Sequence, residues 1–343
     1  MTAKDVSPSG GRRILRSILL LVVLGLATHV LLPQIDSLPN SLRVVKGMRL
    51  WALAAAIAAQ CLSYFGSGVL LRGIALLGGR PISVSRGMMI TAASYGVGVV
   101  AGGIVGSSAA SYRWMRQGGA SAESAVLAGW LPGLLDDLLL ILLALVGVVF
   151  LLIRHSLTRI EALGFVLVAG ILVLLVAALY WAARHPRRAT ELARGAAERW
   201  AFLRGRRIRA RAVEADVRRF LQALDLLFGQ GWKMPVAGGV LNILFDMATL
   251  LLIFAAAGSP VHPGVLLVGY GLPLLFGKAP LLPGGIGLVE GTMAALYGSM
   301  GVARPTTVVV VLVYRLLSFW LPMLIGLPLI PYLERRSKAA GVA

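Results

Sequence analysis

Long apolar runs alternate along this chain with short clusters of glycine, proline and charge. Uninterrupted apolar stretches fall near 14–32, 49–77, 124–153, 161–183, 233–257 and 304–332. Each is long enough to cross a hydrocarbon layer about 30 Å thick, which takes roughly 20 helical residues. Two further apolar regions, about 86–117 and 264–300, are different, because each is rich in glycine and interrupted at its middle. The first contains AASYGVGVVAGGIVGSSAASYRW and the second GYGLPLLFGKAPLLPGGIGLVEGTMAALYG. Glycine and proline weaken or break a helix, so neither region is predicted to be one continuous span. The pattern predicts an all-α polytopic membrane protein: six transmembrane helices plus two re-entrant helical hairpins, in a single membrane domain covering 1–343.

The two broken regions align without a gap at one offset. Gly102-Gly103-Ile104 falls on Gly284-Gly285-Ile286 (284 − 102 = 182), Gly119 on Gly301, Pro81 on Pro263, Gly87 on Gly269 and Leu134-Leu135 on Leu316-Leu317. Apolar coincidences are cheap in such a chain, whereas glycine and proline matches at a single offset are not. Residues 49–135 and 231–317 are therefore predicted to be two copies of one unit. An odd number of full spans separates their starts, so the second copy is predicted to be inverted. Inverted repeats whose broken helices meet near the midplane are a transporter design.

Composition agrees with a membrane protein. Mean hydropathy is +0.85, and 14% of residues are charged. A net charge of +19 would suggest nucleic acid in a soluble protein. Here it matches the gathering of Lys and Arg in loops on the cytoplasmic side, so no nucleic-acid partner is expected. The segment 184–219 carries twelve arginines against four acids. It is predicted to be a cytoplasmic, largely helical linker, either a solvated topology anchor or a surface for anionic headgroups. With both hairpins returning to their own side, the cytoplasmic face collects most of the basic residues, and both termini are expected there. The stretch 14–32, behind Lys4, Arg12, Arg13 and Arg16, has no small-x-small cleavage site after it and reads as a retained span. Cys61 is the sole cysteine, which excludes an intramolecular disulfide. The four histidines have no metal-ligand spacing, so no metal or cofactor is implied.

Candidate chemistry sits where charge meets a break. Unpaired backbone polar groups in hydrocarbon cost several kcal/mol each, so a break at mid-depth must be buried or line a wet cavity. The breaks at Gly102-Gly103 and Gly284-Gly285 would free the N-termini of half-helices starting near Ile104 and Ile286, whose amides and dipole favour an anion. Lys278 lies just before the second break and Arg315 within the last span. A charge at mid-membrane costs about 2.5–3.5 kcal/mol on insertion scales. These cations either neutralise Glu290, Asp246, Asp136 or Asp137, or meet an anionic headgroup, and a resting ion pair can open for a ligand. GIGLVEG lacks the βαβ setting of a dinucleotide site. Ser107-Ser108 has no His/Asp partner in evidence, and the chain is expected not to be an enzyme.

LPGGIGLVEG, followed by MGVARP and YRLLSFWLP, resembles the transmembrane flippase domain of lysylphosphatidylglycerol synthases and its stand-alone relatives. GGIVGSSAASYRWMRQGGASAESA resembles that domain's first-half signature. The resemblance covers about 14–335. It implies a lipid-translocating domain with cavities opening to opposite faces. Pro283, Gly284, Gly285, Gly287, Glu290 and Arg315 match its second-half pattern, and Gly102, Gly103, Tyr112 and Arg113 match its first. Ser111 stands where that pattern often has another basic residue. No aminoacyl-transferase domain follows residue 343, so the chain is expected not to make lysyl-lipid itself.

Residues and resemblance together predict a translocase for a phospholipid or related anionic amphiphile in the cell membrane. Gly102, Gly103, Arg113, Lys278, Pro283, Gly284, Gly285, Gly287, Glu290 and Arg315 are its expected substrate contacts, and Asp136, Asp137 and Asp246 its charge-pairing acids. The expected partners are membrane lipids and a lipid-modifying synthase. A secondary transporter of a small anionic solute, and a membrane scaffold for a lipid-modifying enzyme, stay open as alternatives.

Overall fold

The computed structural model describes residues 38–100, 103–153, 231–278 and 283–339, with parts of 170–222. The predicted span 14–32, most of 161–183, and Gly102 lie outside the described residues.

Every described element is helical. Helix α1 is Leu38–Lys46, α2 Leu50–Leu77, α3 Val84–Val100, α4 Ile104–Gln117, α5 Ala122–Ile153, α6 Pro186–Leu203, α7 Lys233–Ala256 and α8 Pro263–Gly277. A single 3-10 turn, Pro283–Gly285, precedes α9 Leu288–Ser299. Then α10 Arg304–Arg315 runs through a π turn, Leu316–Trp320, into α11 Leu321–Ala339. Four of these stretches are long and apolar enough to cross a membrane: Leu50–Leu77, Ala122–Gly147, Lys233–Ala256 and Arg304–Glu334. They are apolar nearly all round, as a helix must be when lipid takes the place of water on its outer face. The chain is an all-α multi-pass membrane protein. The arms of the broken regions, α3, α4, α8 and α9, have 17, 14, 15 and 12 residues, short of the roughly 20 that a straight crossing takes.

Local chemistry explains where the helices start and stop. Ser121 Oγ accepts from the Ser124 N–H at 3.2 Å at the head of α5, a serine N-cap. His262 accepts from the Gly264 N–H ahead of α8, with Pro263 at the first helical position, where its missing N–H costs nothing. Pro132 and Pro273 lie inside α5 and α8, tolerated in spans because neighbouring helices re-satisfy the freed carbonyl.

The two halves share one element order at the offset of 182. Adding 182 to the bounds of α4 gives 286–299, beside α9 at 288–299, and adding it to α5 gives 304–335, beside Arg304–Glu334. Backbone angles recur as well, with φ of 67° at Gly103 and 64° at Gly285, and 90° at Gly119 and 87° at Gly301. Packing follows the same exchange. Helix α2 lies along α7, α8 rests on α5, and α3 rests on α11. The first arm of each broken pair thus packs against the last span of the other half.

The α2–α7 seam is a close approach of small residues. A Cβ on Gly238 would lie 2.4 Å from the Leu70 nitrogen, and one on Gly66 would lie 2.5 Å from the Asn242 nitrogen. Such contacts give van der Waals packing that apolar lipid cannot supply as well. Asn242 Nδ2 reinforces the seam, donating to the Ser63 carbonyl, Ser63 Oγ and Ser67 Oγ at 3.0, 2.9 and 2.8 Å. Gly238→Leu is expected to lower the detergent-solubilised melting temperature by several degrees, since forced overpacking costs about 1–3 kcal/mol. An unchanged melting curve would place the seam elsewhere.

Candidate functional site

The second break is built from glycine for two reasons. Gly284 and Gly285 both have positive φ, and neither has room for a side chain. A Cβ on Gly284 would lie 2.2 Å from the Phe319 ring, and one on Gly285 would lie 2.6 Å from the Gly277 Cα. Only glycine takes that backbone at that spacing without strain. Pro283 opens the turn, and Gly287, at φ 83°, forms the N-cap of α9. The half-helix expected from Ile286 therefore begins at Leu288, because the left-handed glycines at 284, 285 and 287 hold the chain out of the helix for longer.

The free N-terminus of α9 already holds an anion from its own chain. Glu290, in the first turn, folds back so that Oε2 accepts from the Gly287 N–H at 2.7 Å. Its other oxygen accepts from Arg315 Nε at 2.6 Å. Arg315 Nη2 donates to the Gly284 carbonyl at 3.0 Å, and its guanidinium stacks 4.3 Å from the Phe319 ring centroid. The two side chains are 5% and 16% exposed. Arg315 is thus a buried pin joining the last span to the break, with the π turn beginning at the next residue. Pi turns gather at functional sites.

Lys278, Asp136 and Asp137 make the second group. Lys278 Nζ donates to Asp136 Oδ2 and Asp137 Oδ1, both at 2.5 Å. The lysine comes from the second half and the acids from the first. Adjacent positions on a helix do not face one another, so a single ammonium bridging both must reach between them. These side chains are 30%, 33% and 40% exposed, unlike the Arg315–Glu290 pair. Asp136 lies 14 residues into α5, about 21 Å along its axis, and so at mid-length of an apolar span.

Asp246 departs from expectation. Predicted to pair with a cation, it is held by neutral donors instead. Gln60 Nε2 reaches Oδ1 at 3.1 Å, while Tyr270 and Tyr314 hydroxyls donate to Oδ2 at 2.8 and 2.6 Å. Lys278 is engaged by the α5 acids and Arg315 by Glu290, so neither cation is left for it. Gln60, Tyr270 and Tyr314 were not singled out in the sequence, where the signal available was a glutamine and an aspartate inside apolar runs.

The first break is simpler. Gly103 caps α4, its N–H donating to the Gly98 carbonyl at 2.7 Å, and α4 carries no acid in its first turn. Arg113, expected beside the substrate, is on the exposed face of α4, paired with Glu334 of α11 at 3.3 Å with side chains 61% and 42% exposed. A cation at that position faces outward because the inner face of α4 is taken by Ser111, Trp114 and Met115. Ser111 itself bonds Ser94 of α3 at 2.8 Å, a buried hydroxyl pair that ties the two arms together.

The fold and these charge groups define a polytopic helical membrane protein built on two broken-helix units, with ionised side chains placed inside apolar spans. Residues 13–326 match the family model for the lysylphosphatidylglycerol synthase TM region, and the chain belongs to that family. It is also 36% identical, over 89 residues, to a UPF0104 membrane protein of Methanothermobacter thermautotrophicus. That match covers 26% of this chain and 26% of the relative, so it spans about a quarter of that protein's length.

Proposed function

We propose that this protein moves a phospholipid, or a related amphiphile with an anionic phosphate, between the leaflets of the cell membrane. One observation carries the reading: Lys278, Asp136 and Asp137 form an accessible ionic group at mid-length of an apolar span. Hydrocarbon cannot solvate such a group, which supports the reading that it lines a polar path for a headgroup. The resting triad can exchange partners. A lipid phosphate takes Lys278, and an amine-bearing headgroup meets the carboxylates that Lys278 releases. Acyl chains meanwhile stay in lipid beside the short helices α3 and α8. The first break, with α4 free of acid in its opening turn, supplies amides for the phosphate at the other half. The reading includes no covalent step. The distribution of Lys and Arg supports a cytoplasmic position for both termini, and a lipid-modifying synthase is a fitting partner.

Leaflet exchange in proteoliposomes tests this. Fluorescent phospholipids with anionic, zwitterionic and aminoacylated headgroups are scored against protein-free vesicles. Exchange of one class at least about tenfold above the vesicle background is the expected result, a barrier lowered by about 1.4 kcal/mol or more. Uptake of a soluble anion without lipid movement would replace the reading with a solute transporter. Movement of neither would leave the scaffold role.

A further inference from the structure

We propose that Asp246 is a proton-binding site that couples the lipid movement proposed above to a transmembrane proton gradient. Its surroundings suit a carboxyl group that alternates between charged and neutral forms. Asp246 lies 13 residues into α7, mid-length of a span. Its carboxylate receives three hydrogen bonds from three other helices, Gln60 on α2, Tyr270 on α8 and Tyr314 on α10. All three donors are neutral. Among the described residues no cation pairs with it, in contrast to Glu290, Asp136 and Asp137. A carboxylate fixed by a lysine or arginine stays charged. One held by hydroxyls and an amide can take up a proton at little electrostatic cost to its neighbours.

A second observation points the same way. Gln60 is 7% exposed, and its Oε1 is buried without a hydrogen-bond partner. An orphaned buried acceptor is costly. An amide that turns end for end presents Nε2 to a carboxylate and Oε1 to a carboxyl O–H. Gln60 can therefore serve both states of Asp246: donor to the ionised form, as in this structure, and acceptor from the protonated form. The step is a simple transfer. A proton arriving on Oδ1 forms an O–H bond there, Gln60 rotates to accept it, and the tyrosine hydroxyls continue to donate to Oδ2. No other atom changes valence. A metal cation suits the cage less well, since the three groups point their hydrogens at the centre.

Placement links the site to transport. Every element packed on α7 contributes: Gln60 and Tyr64 from α2, Asp136 from α5, Tyr270 from α8 and Tyr314 from α10, with Tyr95 of α3 also in electrostatic range. Asp136 is one of the two acids that hold Lys278. Neutralising Asp246 removes a negative charge near Asp136, and so alters the field in which Lys278 chooses between Asp136 and an incoming phosphate. Tyr314 precedes Arg315, the pin of the second break. Protonation at one buried point thus reaches both halves.

The test has two readouts, so that the site and the lipid function can fail separately. Infrared difference spectra of the reconstituted full chain, recorded over about pH 4–10, are expected to show a protonated-carboxyl band that Asp246→Asn removes. Tyr314→Phe should raise the band's titration midpoint by about one unit or more, because losing a donor to the anion disfavours the anion. In the same vesicles an imposed pH gradient should speed leaflet exchange severalfold in the native chain and not in Asp246→Asn, which keeps the cage's shape and a fixed neutral group. Absence of any Asp246-dependent band, a band that answers to sodium and not to pH, or a gradient response that survives in Asp246→Asn would each overturn the proposal. A titrating band in a protein that moves no lipid would uphold the proton site and sink the lipid reading.

Discussion

Replacing Arg315 with alanine is expected to cost about 3–5 kcal/mol, the usual result of leaving one member of a buried ion pair behind. The residue is 4% exposed, and its removal strands three groups at once. Glu290 loses the partner at 2.6 Å, the Gly284 carbonyl loses its donor at 3.0 Å, and the Phe319 face loses its cation. The detergent-solubilised melting temperature should fall by roughly 10 °C. Arg315→Lys should recover less than half of that fall. An ammonium keeps the charge but has no planar fork to span Glu290 and Gly284 while lying on a ring. Removing both charges, with Arg315→Met and Glu290→Gln, should recover more than the lysine does. Glutamine can still accept from the Gly287 N–H, and no buried charge is left alone. A melting temperature unchanged by Arg315→Ala would show that the pair does not hold the break.

The architecture was legible in the sequence because membranes leave few choices. Backbone groups must be paired within the span, so apolar run lengths predict helices, and the bounds of α2, α5 and α7 fall within a few residues of the apolar runs. The break at Pro283-Gly284-Gly285 was legible for a related reason, since a PGG triplet inside lipid has few other uses. Its extent was not. That Gly287 also takes positive φ, and moves the helix start to Leu288, depends on Glu290 folding back on the turn. The other oxygen of Glu290 is held by Arg315, from 25 residues downstream.

The charged residues were legible as a set but not as pairs. Cost alone marks any ionised residue in an apolar span, which singles out Lys278, Glu290, Arg315, Asp136, Asp137 and Asp246. Pairing is decided by which helices touch, and the exchange of arms between halves brings α8 to α5. That places Lys278 on acids 141 and 142 positions away and leaves Asp246 to the tyrosines. The repeat gives no help here, because the charges are not repeated. At the offset of 182, Lys278 falls on Gly96, Glu290 on Ser108, Arg315 on Gly133 and Asp246 on Tyr64. The duplicated unit supplies a frame with two breaks, and each half adds different charges to it, Asp136 and Asp137 from the first and Asp246, Lys278, Glu290 and Arg315 from the second. Arg113, conspicuous in the first-half motif, faces outward to Glu334 for the same reason: position in a motif does not fix which face of a helix a side chain takes.

Lys278→Ala is expected to behave in the opposite way to Arg315→Ala, with a small change in stability and a large one in transport. The difference rests on exposure. With Lys278 at 30% and its acids at 33% and 40%, the group is far less enclosed than the Arg315–Glu290 pair, and on the function proposed above it opens to water. Asp136 and Asp137 can then be solvated, or one of them protonated, when the lysine is gone, so the stability cost should stay near the 0–1 kcal/mol of an accessible pair. Headgroup transfer has no such substitute. A phosphate entering the cavity would meet two carboxylates with no cation between, and a single charge-assisted hydrogen bond, worth about 1.5–3 kcal/mol, would turn into repulsion. Leaflet exchange should therefore fall at least about tenfold, while the melting temperature moves by no more than about 2 °C. Lys278→Arg should retain a good part of the rate, since a cation remains within reach of both acids. Native exchange in Lys278→Ala would remove the triad from the transport path. A loss of melting temperature as large as that of Arg315→Ala would make it a second structural pin, and the headgroup would then have to be sought at the amides that follow Gly103.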